Sequence, residues 1–291
     1  MGGGSYTAHD WDKLRTSRSI TRDSTENDLF KNKTILEKFD PKYIAMRESR
    51  DSDEHPHSTP IAIGLDVTGS MGYLPEKIIK EGLNELMKKL YASSTIKDPQ
   101  LMFAAVGDVD DRAPLQVTQF ESDIRIAEQL LELWLEKGGG DYPEDYSLFW
   151  YFLAKHTDTD SMKKRNRKGY AFTIGDAPNH QTLRAADIKK IFNDETKSLT
   201  LQETVDMCEK SYNLFHIVID DNSLTVIPNR TIHIDKSELD YLPEVIITAI
   251  CKVEGVNPAD ILGEVDDKAK SVIEHSLKGV QFKNFGDVIE V

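Results

Sequence analysis

Hydrophobic and polar positions along the middle of the chain follow two alternating patterns. Short continuous apolar runs predict buried strands, whereas apolar residues three and four positions apart predict helices with one buried face. The predicted strands cover residues 61–65, 101–106, 115–120, 170–174, 214–219 and 231–234. The predicted helices cover residues 75–91, 124–134, 145–155, 199–211 and 239–253. Strands that alternate with helices in this way predict an α/β fold with a mostly parallel central sheet flanked by helices.

The segments on either side of this region have a different composition. Residues 1–59 are polar and rich in Arg, Ser, Asp and Thr, with enough apolar positions for one or two short helices. They form either a solvated arm or an arm that packs over the domain or docks a partner. Residues 254–291 begin near Gly255 and Pro258, which favours a helix end followed by a short helical tail. We therefore expect an N-terminal arm (1–59), one domain (60–253) and a helical C-terminal tail (254–291).

The charge of the chain and its two cysteines limit which partners and which cellular location we expect. The chain has 36 Lys and Arg against 50 Asp and Glu, a formal net charge of −14. Such a surface repels phosphate backbones and anionic lipids, so we expect neither nucleic acid nor membrane as a partner. The amino-terminal residues lack the apolar stretch of a secretory signal. Cys208 and Cys251 are isolated and favour reduced core residues, which makes the cytoplasm the expected location.

The strongest chemical signal follows the first predicted strand. Asp66, Thr68 and Ser70 place three oxygen-bearing side chains at alternate positions in a loop that contains Gly69. A carboxylate and two hydroxyls suit a hard divalent cation such as Mg²⁺, which prefers oxygen ligands. The alternative is an ordinary strand-to-helix junction in which a hydroxyl caps the helix.

Two further acidic segments favour the metal interpretation. Asp141 and Glu144 lie in the glycine-rich turn GGGDYPED before a predicted helix, and Asp176 follows the strand at 170–174. Because the carboxyl ends of parallel strands meet at one edge of a sheet, where ligands bind, we expect Asp66 and Asp176 to be neighbours.

This combination resembles the von Willebrand factor A (vWA) domain and its metal-ion-dependent adhesion site (MIDAS). The first motif of that site is Asp-x-Ser/Thr-x-Ser, which Asp66, Thr68 and Ser70 match position by position. Its third motif, an Asp after the fourth strand, is matched by Asp176. The resemblance covers about residues 59–253 and implies a three-layer, Rossmann-like fold.

The second motif departs from the Thr of many vWA domains. The turn GGGDYPE looks like that of integrin beta subunits and of the vWA domains attached to alpha-kinases. By this resemblance Glu144 replaces the Thr as a metal ligand, and Asp141 is the other candidate or serves a neighbouring cation. The sequence Asp-Ala-Pro-x-His is also similar in the alpha-kinase type, which implies that His180 lines the site.

The resemblance implies a binding module that carries Mg²⁺ (or Mn²⁺ or Ca²⁺) and grips an acidic residue of a partner protein. It does not imply an enzyme. The acidic chain looks like the intracellular bacterial and phage vWA proteins, which are often encoded beside AAA+ ATPases of the MoxR class, and we expect an adaptor in such a complex. Two alternatives remain open: a metal-dependent hydrolase with Glu144 or His180 as the base, and a structural protein whose metal only joins loops.

Two other charged segments have simpler interpretations. Asp108, Asp110 and Asp111 offer oxygen ligands for a second cation, but the pattern favours a solvated hairpin turn. The basic residues between 163 and 168 form a dense run that would steer an acidic partner, yet a solvated loop before a strand is the favoured interpretation.

Overall fold

The computed structural model describes residues 4–21, 23–69, 71–93, 95–138 and 143–282. The strands of this part of the chain are β1 (Arg47–Ser49), β2 (Thr59–Asp66), β3 (Pro99–Val106), β4 (Leu115–Val117), β5 (Thr157–Thr159), β6 (Gly169–Gly175), β7 (Thr182–Leu183), β8 (Leu199–Thr200), β9 (Tyr212–Ile219) and β10 (Thr231–Ile234). The helices are α1 (Ala8–Arg18), α2 (Glu26–Leu29), α3 (Tyr73–Lys77), α4 (Leu83–Ala92), α5 (Arg125–Leu130), α6 (Tyr146–Lys155), α7 (Asp160–Arg165), α8 (Ala185–Phe192), α9 (Leu201–Cys208), α10 (Leu242–Glu254), α11 (Ala259–Leu262) and α12 (Asp267–Ser276). A π-helical turn, Ile78–Gly82, joins α3 to α4, and 3₁₀ turns cover Glu37–Phe39, Pro41–Tyr43 and Lys236–Tyr241.

The central sheet has six strands in the order β10-β9-β6-β2-β3-β4. All neighbouring pairs are parallel except β3 and β4, which are antiparallel. Asp66 at the end of β2 is in register with Val106 at the end of β3. The carboxyl ends of β2, β3 and β6 therefore meet at one edge of the sheet, as the sequence predicted.

Both faces of the sheet are covered, which makes the fold a three-layer α/β sandwich. Successive residues of β2 point to opposite faces: Ile61 and Ile63 belong to one buried cluster and Ala62 to the other. The first cluster includes side chains of α4 and α10, and the second includes side chains of α6, α8 and α9. The predicted fold class is confirmed, and it is the architecture that the resemblance to vWA domains implies.

Helix α6 packs closely against the sheet, and this fixes the position of the residues just before it. Every residue from Tyr146 to Leu153 is buried. A Cβ atom on Gly64 of β2 would lie 2.6 Å from Cδ1 of Phe149, so only glycine permits this approach. The tight packing places the start of α6 beside the carboxyl ends of β2 and β6.

The N-terminal arm packs over the domain, which resolves the alternative left open by the sequence. Trp11 and Leu14 of α1 belong to the buried cluster that also holds the side chains of α4. The hydroxyl of Tyr6 donates a hydrogen bond to Oδ1 of Asn84 at 2.9 Å, and its amide donates to the carbonyl of Ser122. The division into residues 1–59, 60–253 and 254–291 stays a prediction.

Several elements differ from those predicted. The helix predicted at 124–134 is shorter in the structure and covers only Arg125–Leu130. Helix α8 was not predicted, because its short apolar pattern gives no clear signal. The basic run is a loop only in its second half: residues 163–165 end α7, residues 166–168 lead into β6, and Arg165 pairs with Asp51 at 2.7 Å. Strand β1 of the arm pairs with β5, which explains why α7 meets the arm.

Two expectations from composition can be compared directly with the structure. Cys208 and Cys251 are both buried and unbridged, as predicted for reduced core residues. Among the described residues, no helix combines the length and the apolar character needed to cross a bilayer.

Candidate metal site

The loop after β2 holds Asp66 and Thr68 in one compact turn. The carboxylate Oδ1 of Asp66 accepts hydrogen bonds from the amide of Thr68 at 2.9 Å and from its hydroxyl at 2.6 Å. This is the Asx-type turn expected where an aspartate ends a strand. Asp66 is only 1% exposed and Thr68 is also buried, so the two residues line the base of the site rather than a solvated loop.

The other carboxylate oxygen of Asp66 is held by a residue that sequence reasoning did not single out. The hydroxyl of Tyr146 donates to Oδ2 of Asp66 at 2.8 Å. This contact requires glycine at the end of β6, because a Cβ atom on Gly175 would lie 2.1 Å from Oη of Tyr146 and 2.8 Å from Oδ2 of Asp66. The hydroxyl of Tyr146 therefore fixes the orientation of the Asp66 carboxylate.

Glu144 reaches the same site from the segment before α6. Its amide donates to the carbonyl of Pro178 at 2.9 Å, and its carbonyl accepts from the amide of His180 at 2.9 Å. This short bridge joins the segment to the loop after β6. The Glu144 side chain is 7% exposed, and its Oε2 atom is buried without a hydrogen-bond partner among the described residues. A buried carboxylate oxygen without a donor is costly unless a ligand satisfies it.

Asp176 follows β6 directly and is half-buried. Its charge acts on both Asp66 and Glu144, so the structure brings these three predicted residues together with Thr68. Ser70 and Asp141, the other two predicted ligands, lie outside the described residues.

Burial and the negative charges gathered at the site raise the pKa of two of its carboxyl groups. Burial raises the pKa of Asp66 to about 6, against the hydrogen bonds from Thr68 and Tyr146, and the charge of Asp176 adds to the rise. Burial also raises the pKa of Glu144 to about 8, against a hydrogen bond from the Thr68 side chain, and the nearby charges of Asp66, Asp108 and Asp176 add to the rise. Two neighbouring carboxyl groups that resist ionisation indicate a site that is short of positive charge.

These residues fit a hard divalent cation. Asp66, Glu144 and Asp176 supply carboxylate oxygens and Thr68 supplies a neutral hydroxyl, which is the donor set that Mg²⁺ and Mn²⁺ prefer. The unsatisfied Oε2 of Glu144 is the clearest sign of fit. The arrangement can hold a cation at the sheet edge, with solvent or a partner group completing its coordination.

The Asp-rich segment after β3 is the expected hairpin turn to β4, but it is only partly solvated. Asp108 is 2% exposed, and its amide donates to Oδ2 of Asp111 at 3.0 Å. A Cβ atom on Gly107 would lie 2.8 Å from the same Oδ2 atom, so the turn is closely packed. The expectation of a solvated turn therefore holds for Asp110, which is exposed, and not for Asp108.

Comparison with known proteins gives structural similarities alone. No protein family model matches the sequence, and no curated protein matches it. Among solved structures, proximal thread matrix protein 1 from the mussel byssus, with a zinc-occupied MIDAS motif, is 10% identical with a TM-score of 0.44, covering 67% of this chain and 48% of that one. The von Willebrand factor type A protein from Catenulispora acidiphila is 12% identical with a TM-score of 0.36, covering 83% and 48%.

A third similar structure is the pilus adhesin SpaC from Lactobacillus rhamnosus GG, 10% identical with a TM-score of 0.36, covering 79% of this chain and 31% of that one. This chain thus spans less than half the length of each of the three proteins. Similarities at this level of identity do not say what this chain binds, so its function has to be argued from the site itself.

Proposed function

We propose that this protein is a divalent-metal-dependent binding module of the vWA type that recognises an acidic residue of a partner protein. The observation that carries the proposal is the buried Glu144 carboxyl, whose unsatisfied Oε2 lies with Asp66, Thr68 and Asp176 at the edge of the sheet where its parallel strands end. The position-by-position match of Asp66, Thr68 and Ser70 to the MIDAS motif supports it.

Each residue has a defined part in this account. Asp66, oriented by Tyr146, and Glu144 would supply carboxylate oxygens to the cation, and Thr68 and Ser70 would supply neutral oxygens. Asp176, the most exposed of the three carboxylates, would complete the set of residues that hold the cation. A cation held by these residues would supply an electrophilic centre able to accept one carboxylate oxygen of a partner.

The charge of the chain explains why a cation would be needed. With a formal net charge of −14, the protein repels an acidic partner in solution. A local cation would remove this repulsion at one point of the surface. It would also make binding specific for a carboxylate of the partner. An adaptor in a cytoplasmic complex, with a MoxR-class AAA+ ATPase as one candidate partner, fits this chemistry and stays a proposal.

Calorimetric titration of the EDTA-treated protein with Mg²⁺ or Mn²⁺ tests the site. We expect one dominant site of the hard-cation type, which Asp66→Ala abolishes and Asp53→Ala, at an exposed position, leaves intact. Unchanged Mg²⁺ binding in Asp66→Ala, with the circular dichroism spectrum preserved, would show that the cation lies elsewhere.

The hydrolase alternative makes a different prediction. A metal-dependent hydrolase with Glu144 or His180 as its base would turn over a generic phosphoester in the presence of Mg²⁺. We expect no turnover above that of the Asp66→Ala variant. Metal-dependent turnover that Asp66→Ala removes would replace the binding proposal by an enzymatic one.

A further inference from the structure

A second group of metal-ligating side chains lies beside the candidate site. Asp108 follows β3, Asp145 precedes α6 and His180 lies in the loop after β6. One ligand atom of each residue lies within 4.8 Å of those of the other two. Both aspartates are 2% exposed and His180 is half-buried. Three separate segments thus bring two buried carboxylates and one imidazole to a single point.

Backbone hydrogen bonds fix the positions of all three residues. Oδ1 of Asp108 accepts from the amide of Asp110 at 2.8 Å, and Oδ2 of Asp145 accepts from the amide of Val109 at 3.1 Å. The amide of His180 donates to the carbonyl of Glu144 at 2.9 Å. Carboxylates held by outer hydrogen bonds on rigid segments are typical of metal ligands.

A cavity opens on one side of this group. It has a volume of about 370 Å³, and Asp108, Asp145 and His180 all line it. Asp110 and Asp187 add two more acidic groups to its wall, against one guanidinium, that of Arg184, which pairs with Asp187 at 2.6 Å. The cavity has room for ligand waters or a small ligand, and its wall carries more negative than positive charge.

The distances suit a small divalent ion. Bonds of about 2.0–2.2 Å to nitrogen and oxygen place the ligand atoms of one ion about 3–4 Å apart. Ligand atoms that already lie within 4.8 Å of one another reach this spacing by small side-chain rotations. We propose that Asp108, Asp145 and His180 form a second metal site, which takes an imidazole-accepting transition ion such as Zn²⁺ and remains open towards the cavity.

The two sites differ in their donor sets and therefore in their metals. Asp66, Thr68, Glu144 and Asp176 offer oxygen alone, whereas the second site includes an imidazole nitrogen. Imidazole suits Zn²⁺ and Co²⁺, while Mg²⁺ prefers carboxylate and water oxygens. Excess Mg²⁺ should therefore fill the first site and leave the second free for a transition ion. The second-site proposal does not depend on the proposed function of the first.

The test is a Co²⁺ titration of the full-length, EDTA-treated protein in excess Mg²⁺, followed by the visible absorption of bound Co²⁺. We expect one Co²⁺ per chain, with the affinity reduced at least about tenfold in both His180→Gln and Asp108→Asn. His57→Gln, which replaces an exposed histidine, and Asp66→Ala should retain it. Circular dichroism in EDTA checks the fold of each variant.

A second measurement uses the unaltered protein and so does not depend on any variant folding. In ¹⁵N-histidine-labelled protein with excess Mg²⁺, one equivalent of Zn²⁺ should shift the imidazole nitrogen resonances of a single histidine. Absence of any bound Co²⁺, or Co²⁺ binding that both variants leave unchanged, would overturn the proposal. His180 would then only hydrogen-bond or ion-pair with its neighbours. If Asp66→Ala loses Mg²⁺ binding but retains Co²⁺ binding, the two sites are distinct.

Discussion

Replacing Glu144 by glutamine should make the metal-free protein more stable at neutral pH. The Glu144 carboxyl is 7% exposed, and Oε2 has no hydrogen-bond partner in the described part of the chain. Burial and the charges of Asp66, Asp108 and Asp176 raise its pKa from the ordinary value of 4.5 to about 8. The buried Glu144 carboxyl therefore lowers the stability of the protein when no cation is bound, as is common for functional sites.

The magnitude follows from the displaced pKa. Between pH 4.5 and pH 8 the folded protein keeps a proton on Glu144 that the unfolded chain releases. The free energy of unfolding therefore falls as the pH rises through this window. Each pH unit costs about 1.4 kcal/mol, which amounts to about 3 kcal/mol at pH 7. Asp66, with its pKa raised to about 6, adds a similar fall between pH 3.8 and pH 6 in both proteins, so it cancels from the difference.

Urea denaturation in EDTA at pH 5, 6, 7 and 8 measures this difference. Glu144→Gln should lack most of the decline that the unaltered protein shows between pH 5 and pH 8, and the two should differ by less than about 1 kcal/mol at pH 5. Glu54→Gln, at an exposed position, is the matched control and should follow the unaltered protein. Saturating Mg²⁺ should stabilise the unaltered protein far more than Glu144→Gln. The same pH slope in both proteins would refute the reasoning.

Three further changes test the geometry of the site. Gly175→Ala should destabilise the protein by about 1–3 kcal/mol and abolish Mg²⁺ binding, because its Cβ would lie 2.1 Å from Oη of Tyr146; thermal melts and calorimetry check both, and unchanged Mg²⁺ binding would contradict the contact. Tyr146→Phe should cost about 1–3 kcal/mol in EDTA, because Asp66 loses the donor at 2.8 Å; an unchanged melting temperature would argue against this role. Glu144→Ala should weaken Mg²⁺ binding in calorimetry more than Asp141→Ala does, and the reverse order would assign the second-motif ligand to Asp141.

The sequence was sufficient for the sheet and for much of the site. The strands of a buried parallel sheet are continuous apolar runs, so 61–65 and 170–174 were recognisable without tertiary information. The carboxyl ends of parallel strands lie at one edge of the sheet, so the prediction of a parallel sheet also predicted that Asp66 and Asp176 are neighbours. Glu144 followed only from the resemblance of its turn to known vWA domains.

Other residues could not be predicted because their signals have common structural explanations. Tyr146 lies in an aromatic-rich helix, where a buried tyrosine is normally a core residue. The one hint of its role was Gly175 at the end of a strand, where a missing side chain indicates close approach. Asp108 was recognised as a possible ligand of a second cation, but its Asp-rich segment is also typical of a solvated turn, which was the favoured interpretation. Trp11 lies in a polar arm without periodicity, so its burial depends on a surface that only the folded domain provides.

The central claim is that a cation at Asp66 and Glu144 carries the binding of an acidic partner, and metal-dependent capture tests it most directly. The immobilised protein and its Asp66→Ala variant are exposed to extract from the native cell in Mg²⁺, in EDTA, and in EDTA followed by excess Mg²⁺. The account predicts a partner that the protein retains in Mg²⁺, releases in EDTA and regains with Mg²⁺, and that the variant never binds. Capture of the same partner at full strength in EDTA, with the fold intact, would contradict it.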